Sequence, residues 1–277
     1  MQSGPVVSVI IAAYQARDFI GAAIASALVQ DVALEIIVAP DEPRGASDYT
    51  DLAARDRRIR VLEGVPAPTG PGPARNRALA AARGDFIALL DADDLWSPDY
   101  LARLLPLAEK HGAAFGRTLI TDWQGQEIRS VAGKNERADF ATFETAFASF
   151  HGVTRRDPAR AWQDVLAEDV LFDLETLALA GGRAPYADAA IYQLRLRPAS
   201  LTRDDGFIRN IAAGYEHLMA AIANNATAIA PAYQPAAIEV FRHWAAMNAR
   251  FEAALSLNSN LDYQTFATRI LGGARID

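Results

Sequence analysis

A run of β-branched residues near the start of the chain constrains the fold more than any other feature. Residues 6–12 read VVSVIIA, so apolar side chains stand at nearly every position instead of alternating with polar ones. A strand of this kind is buried on both faces, which is typical of a parallel sheet covered by helices on both sides. The run therefore predicts an α/β fold.

Strand and helix patterns alternate after this run. Short apolar runs predict strands at 34–39, 59–62 and 85–90. Helical spacing of apolar or alanine residues predicts helices at 17–29, 74–83 and 98–110. Such alternation gives a mainly parallel sheet flanked by helices, whose ligands bind at the carboxyl ends of the strands.

The pattern changes beyond residue 113. We predict a hairpin at 114–131 and irregular chain at 130–150. A helix at 161–181 and a last strand at 189–196 are predicted to follow. After residue 205 only helical patterns follow, at 207–224 and 236–257. These features predict an α/β domain over residues 1–204 and a helical C-terminal extension over residues 205–277.

The composition excludes several classes of protein. A formal net charge of −7 argues against a nucleic-acid-binding protein, which normally carries a basic surface stripe. The chain has no cysteine, so disulfides, thiolate metal ligands and a cysteine nucleophile are excluded. The first apolar run lacks a basic segment before it and is too short for a signal peptide or a membrane span. We therefore expect a cytoplasmic location.

The fourth predicted strand runs directly into carboxylates in the segment FIALLDADDLWSPD, residues 86–99. Asp91 and Asp93 have D-x-D spacing, which turns both side chains to one side of an extended segment. Hard divalent cations prefer such oxygen ligands together with substrate phosphates. D-x-D alone is common, and the alternative is a solvated acidic turn that caps the next helix.

Two other charged features are candidates for chemistry. Arg75 stands in GPGPARN, where glycines let the backbone approach a ligand and the arginine begins a helix, a natural anion site. Glu168 and Asp169 form an acidic pair on a predicted helix and could supply a general base. Ordinary solvated helix residues are the alternative in both cases.

Four segments, in order, resemble glycosyltransferases of the GT-A fold, of the family 2 type. They are VSVIIAAYQARDFIGAAIASAL, GPGPARNRALAAARGDFIALLDADDLWSPDYL, AEDVLFDLETLALAGG and YQLRLRPASLTR. Together they span about residues 6–203. The resemblance implies a Rossmann-like, mainly parallel sheet and transfer of a sugar from a nucleotide-sugar donor.

The resemblance also implies roles for individual residues. Asp93, with Asp91, would bind Mn²⁺ or Mg²⁺, and Asp169 would be the catalytic base, with Glu168 as its partner or substitute. The residues implied in donor binding are Ala12, Tyr14, Asp41, Arg75, Asp91, Ala92 and Arg197.

The chain departs from the family pattern at two places. Pro40 stands where the first of two acids is usual, so Asp41 remains as the residue that would contact the base. Arg197 stands where a histidine is frequent. Because arginine cannot ligate a cation, we expect Arg197 to clamp the donor diphosphate directly.

The function that this sequence favours is a metal-dependent, inverting glycosyltransferase. A UDP-sugar is the favoured donor, and the acceptor is expected to be a glycan or lipid-linked hydroxyl in envelope or capsule polysaccharide synthesis. A nucleotidyltransferase and a non-catalytic nucleotide-sugar-binding relative are the alternatives.

The remaining side chains allow more than one interpretation. The apolar face of residues 241–255 fits packing on the body, a homodimer contact or a peripheral membrane contact. Trp162 fits either a sugar-stacking role or the core. The histidines show no metal-ligand spacing and are expected to have structural or surface roles.

Overall fold

A computed structural model describes residues 6–43, 49–133, 136–197, 206–256 and 261–271. The strands are β1 (Val7–Ala13), β2 (Leu34–Pro40), β3 (Ile59–Val61), β4 (Phe86–Leu89), β5 (Leu95–Trp96), β6 (Ala113–Asp122), β7 (Glu127–Val131), β8 (Arg137–Asp139), β9 (Val153–Arg155) and β10 (Arg183–Leu196). The helices are α1 (Ile20–Leu28), α2 (Thr50–Arg55), α3 (Pro71–Ala81), α4 (Tyr100–His111), α5 (Phe140–Glu144), α6 (Glu168–Leu179), α7 (Phe207–Ala223), α8 (Gln234–Leu255) and α9 (Tyr263–Leu271).

The strands join one sheet in the order β3-β2-β1-β4-β9-β6-β10-β5, with β7 added to β6 and β8 to β10. The four strands β3, β2, β1 and β4 are mutually parallel, and β6 is parallel to β10. The antiparallel strand β9 connects these two groups. The predicted α/β sheet and the predicted 114–131 hairpin are therefore both present.

The first strand is buried on both faces, as its sequence predicts. Val9 and Ile11 point into a core formed with α1 and α4, whereas Ile10 points into a second core formed with α3 and α6. Alternate side chains of a strand project to opposite faces, so a strand between two helical layers must be apolar throughout.

The C-terminal helices share a third core with β6, α5 and α6. Phe241, Trp244 and Phe251 of α8 are buried in it, and Trp244 Nε1 donates to the Phe143 carbonyl at 2.9 Å. Packing on the body thus accounts for the apolar face of this helix. The predicted boundary at residues 204–205 lies outside the described residues. No helix in the described ranges is both long and apolar enough to cross a membrane.

The structure differs from the predicted elements at α6. The helix expected from residue 161 begins only at Glu168, after Ala167 in a left-handed conformation with φ of 68°. Residues before it are held by side chains instead, since the Trp162 N–H donates to Asn76 Oδ1 at 2.8 Å. The late start places Glu168 and Asp169 in the first turn of the helix, where carboxylates are stabilised by the helix dipole.

Candidate active site

The chain after β4 leaves two carboxylates partly exposed and buries a third. The side chains of Asp91 and Asp93 are 28% and 24% exposed, whereas Asp94 is buried. Asp94 accepts hydrogen bonds from the Tyr192 hydroxyl at 2.9 Å and from the Arg195 N–H at 2.8 Å. Burial raises the pKa of Asp94 well above its usual value. Asp94 therefore fastens the D-x-D loop to β10.

Arg75 joins the two acidic motifs. It projects from α3, is 5% exposed, and donates through Nη2 to Asp91 Oδ1 at 2.7 Å and through Nη1 to Glu168 Oε1. Burial by itself would lower the pKa of Arg75, but the charges of Asp91 and Glu168 raise it. One guanidinium thus connects α3 to both the D-x-D loop and the start of α6.

The two members of the acidic pair have different surroundings. Glu168 is buried against Arg75, and burial raises its pKa to about 7. Asp169 is only partly buried and accepts from the Val170 N–H at 2.9 Å. It lines a small cavity of about 10 Å³, room for at most about one water, together with His151 and Asp173. Asp169 is thus the acid of the pair that is partly exposed and borders this small cavity.

His151 lies at this site, although its sequence context gives no signal for that position. Its Nε2 is 3.3 Å from Asp91 Oδ2, and its side chain is 2% exposed. Burial would lower the pKa of His151, but the hydrogen bond to Asp91 and nearby carboxylates raise it to about 9. The expectation of a surface or purely structural role for every histidine is therefore incomplete.

Two arginines from the end of β10 reach the second aspartate of D-x-D. Arg197 Nε donates to Asp93 Oδ2 at 2.6 Å, and Arg195 Nε donates to the Asp93 carbonyl at 2.6 Å. Their guanidinium groups lie over the rings of Phe19 and Trp123 respectively. Both contacts lie beside the D-x-D loop, and the expected role of Arg197 as a clamp for the diphosphate stays a prediction. Residues 198–200 lie outside the described ranges.

The predicted nucleoside-binding residues lie at the carboxyl ends of β1, β2 and β4. Tyr14 is 48% exposed just after β1, Ala12 is partly buried within β1, and Ala92 is buried. Asp41 is buried and accepts hydrogen bonds from the Thr69 N–H, the Thr69 hydroxyl at 2.7 Å and the Gly70 N–H at 2.8 Å. Asp41 thus anchors the loop before α3, and its contact with a base stays a prediction.

Trp162 belongs to the core rather than to an open surface. Its ring is 4% exposed and stacks on Phe172 with centroids 4.1 Å apart. Its carbonyl accepts from Asn76 Nδ2 at 2.8 Å. The stacked position favours the core interpretation over sugar stacking, and it fixes the segment before α6 against α3.

The donor atoms of the D-x-D loop fit a hard divalent cation in type. Both carboxylate oxygens of Asp91 face cationic side chains, whereas Arg197 engages Asp93 through Oδ2. In the part of the chain that the structure describes, no three His, Asp or Glu side chains form a ligand group by themselves. Mg²⁺ and Mn²⁺ take one or two carboxylates and complete their shell with substrate phosphates. Asp93 is the better placed of the two aspartates for that role.

Two curated relatives are similar in sequence. The succinoglycan biosynthesis protein ExoO of Rhizobium meliloti is 41% identical over 221 residues, which cover 72% of this chain and 63% of that protein. The UDP-Glc:alpha-D-GlcNAc-diphosphoundecaprenol beta-1,3-glucosyltransferase WfgD of Escherichia coli is 36% identical over 129 residues, 46% of this chain and 49% of that protein. The chain thus spans between about half and two thirds of the length of these relatives.

Two solved structures share the fold at low sequence identity. S. aureus TarS 1–349 in complex with UDP superimposes with a TM-score of 0.64 at 17% identity, covering 91% of this chain and 75% of that one. The mannosyltransferase PcManGT of Pyrobaculum calidifontis, in complex with GDP-Man and Mn²⁺, superimposes with a TM-score of 0.55 at 19% identity. The match covers 98% of this chain and 80% of that one. The predicted GT-A architecture is confirmed.

A family model agrees with these similarities. The model described as glycosyl transferase family 2 matches residues 8–164, from the first strand through the D-x-D loop to the segment before α6. Together with the relatives and the fold, this match shows that the chain belongs to glycosyl transferase family 2.

Proposed function

We propose that the protein is a metal-dependent, inverting glycosyltransferase. It moves a sugar from a nucleoside-diphosphate sugar, with a UDP-sugar favoured, to an acceptor hydroxyl. The observation that carries this proposal is the pair of contacts from Arg75 to Asp91 and Glu168. They hold Asp91 of the D-x-D motif near Glu168, which precedes the candidate base Asp169 in the chain.

The donor side of the proposed site compensates negative charge. Asp93 would hold Mn²⁺ or Mg²⁺, which supplies neutralisation of the charge that develops on the leaving diphosphate. Arg197, which pairs with Asp93 at 2.6 Å, lies where its guanidinium could also bind a diphosphate oxygen. Tyr14, Ala12 and Asp41 would hold the nucleoside at the ends of β1 and β2.

The acceptor side needs a group that removes a proton from the attacking hydroxyl. Asp169 is proposed for this role because it is partly exposed beside a cavity, and a base must lie within hydrogen-bond reach of that proton. Glu168 holds Arg75 and is the alternative base. Attack from the face opposite the leaving diphosphate inverts the anomeric centre.

The names of the relatives support a role in polysaccharide synthesis. ExoO is named for succinoglycan biosynthesis and WfgD for transfer to a diphosphoundecaprenol-linked sugar. We therefore propose a glycan or lipid-linked acceptor for this chain, in envelope or capsule polysaccharide or glycolipid synthesis. Residues 1–204 would form the transferase domain and residues 205–277 its helical extension.

Calorimetric titration with UDP and GDP, with and without Mn²⁺, tests the donor site. We expect metal-dependent binding of one nucleotide, weakened at least about tenfold in Asp93→Ala because a ligand to the cation is lost. Asp188→Ala is the matched control, since Asp188 also pairs with an arginine but on an exposed surface. Absence of nucleotide binding under every condition would overturn the proposal.

Turnover is tested by Asp169→Asn with the nucleotide sugar that binds. Loss of transfer with donor binding retained is expected for a base, because the amide keeps the shape but cannot accept the proton. Unchanged transfer would refute Asp169 as the base. A chain that binds the donor but never transfers sugar would be a binding protein.

A further inference from the structure

Asp91 is held from two sides by cationic or donor side chains. Arg75 Nη2 approaches Oδ1 at 2.7 Å and His151 Nε2 approaches Oδ2 at 3.3 Å. The Tyr192 hydroxyl also accepts from the Asp91 backbone N–H at 3.0 Å. Three separate parts of the fold therefore hold Asp91, two through its carboxylate and one through its backbone.

His151 is itself fixed by its surroundings. Its backbone has φ of 46°, a left-handed conformation that a non-glycine residue keeps only when neighbours hold it there. Its carbonyl accepts from the Tyr100 hydroxyl at 2.8 Å, and its ring packs edge-on against Tyr192 at 4.7 Å. These contacts leave the imidazole in one orientation, with Nε2 towards Asp91.

The other ring nitrogen of His151, Nδ1, contacts a buried polar side chain in the core of the protein. Nδ1 is 3.0 Å from the Ser149 hydroxyl, which donates to Asp173 Oδ2 at 3.2 Å. Ser149, His151 and Asp173 are all buried, and Asp173 belongs to α6, the helix that carries Asp169. A chain of polar contacts therefore extends from α6 to the first aspartate of D-x-D.

We propose that His151 is a positioning residue for the donor, acting through Asp91, and that Ser149 and Asp173 orient its ring. The inference rests on the proposed function. The Asp91 side chain is 28% exposed to solvent whereas that of His151 is 2% exposed, so His151 reaches a bound donor only through Asp91. His151 engages Oδ2 of Asp91 while Arg75 engages Oδ1, and this leaves Asp93 as the aspartate available to a cation.

Two substitutions separate the two ring nitrogens. In His151→Asn the amide nitrogen can replace Nδ1 near Ser149 but cannot reach Asp91, whereas in His151→Gln it can approach the Nε2 position. We expect UDP affinity in the presence of Mn²⁺ to fall about tenfold in H151N and about threefold in H151Q, the scale of one charge-assisted hydrogen bond. His217→Asn, an exposed histidine on α7, is the control and should bind as the wild type does.

A double-mutant cycle with Asp91→Asn tests whether His151 acts through Asp91. H151N should weaken UDP binding in the wild-type background but cause no further loss in D91N, because residues acting through one contact are not additive. Ser149→Ala, a smaller change, should follow the same pattern and serves if H151N fails to fold. KM for the donor should rise more than kcat falls.

The outcomes distinguish this inference from the proposed function. Equal losses caused by H151N, or by S149A in its place, in the wild-type and D91N backgrounds would overturn the positioning role. Wild-type affinity in H151N would do the same. Absence of nucleotide binding by the wild-type protein would overturn the proposed function and this inference together.

Discussion

Arg197 Nε donates to Asp93 Oδ2 at 2.6 Å, which pairs the end of β10 with the loop after β4. The Arg197 guanidinium also lies 4.4 Å from the centre of the Phe19 ring. A planar cation held between a carboxylate and an aromatic face is well placed to bind a second anion.

Arg197→Gln should weaken UDP binding by about tenfold, because a charge-assisted hydrogen bond to the diphosphate is lost. Titration calorimetry at fixed Mn²⁺ measures the change. Arg117→Gln, which removes the exposed pair with Asp188, is the control and should leave the affinity unchanged. An affinity for UDP that is insensitive to R197Q would exclude the clamp.

Arg75→Met should lower the free energy of unfolding by about 3–5 kcal/mol, because it leaves Glu168 buried without its partner. Urea denaturation measures the loss. Adding Glu168→Gln to Arg75→Met should recover part of it, since the uncompensated charge is then removed. Arg103→Met breaks an exposed pair with Asp99 and should cost at most about 1 kcal/mol. Equal losses in the two arginine variants would contradict the prediction.

Asp173 should make the stability of the protein depend on pH. Burial raises its pKa to about 6 from an ordinary value of 3.8, so the folded state keeps a proton that the unfolded chain releases. The stability that this proton provides is fully present below about pH 4 and is lost as the pH rises through 6. The free energy of unfolding of Asp173→Asn should therefore rise by about 3 kcal/mol relative to that of the wild type between pH 4 and pH 7.

Urea denaturation at several pH values measures the free energy of unfolding of both proteins. The expected gain is the change with pH in the difference between these two free energies. The amide of Asn can still accept from the Phe150 N–H, as Asp173 does at 3.2 Å. A difference that is constant from pH 4 to pH 7 would show that Asp173 titrates alike in both states.

Gly72→Ala should disturb the site, whereas Gly21→Ala should not. A Cβ at Gly72, in α3, would collide with the Gln163 carbonyl and lie 3.4 Å from Glu168 Cγ, so α3 and the segment before α6 must separate. We expect a loss of about 1–3 kcal/mol in stability together with weaker UDP binding.

Gly21 is an exposed residue of α1, and a Cβ there meets no atom within 4 Å. Gly21→Ala should therefore raise stability by about 0.4–1 kcal/mol, as alanine restricts the unfolded chain and favours the helix. Thermal and urea denaturation of Gly72→Ala and Gly21→Ala compare the stability of the two variants with that of the wild type. Wild-type stability and UDP affinity in Gly72→Ala would show that α3 tolerates the displacement.

Local sequence patterns were sufficient to predict the elements that carry a clear apolar run or helical spacing. The apolar runs predicted β1, β2 and β4, and the position of Asp91 and Asp93 after β4 followed from chain order alone. Elements without an apolar run were not predicted: β9 reads VTR and α2 reads TDLAAR. The start of α6 was also predicted too early, because side-chain contacts with α3 end the helical pattern at Ala167.

The sequence by itself determined the longer strands and helices and the acidic residues that follow β4, because hydrophobic periodicity acts over a few positions. Only the tertiary structure decided which charges meet. Arg75 pairs with Glu168 across 93 residues, and His151 reaches Asp91 from a segment without a pattern. Such pairs form because the sheet and α6 bring distant chain segments within hydrogen-bond distance, and no local pattern records that approach.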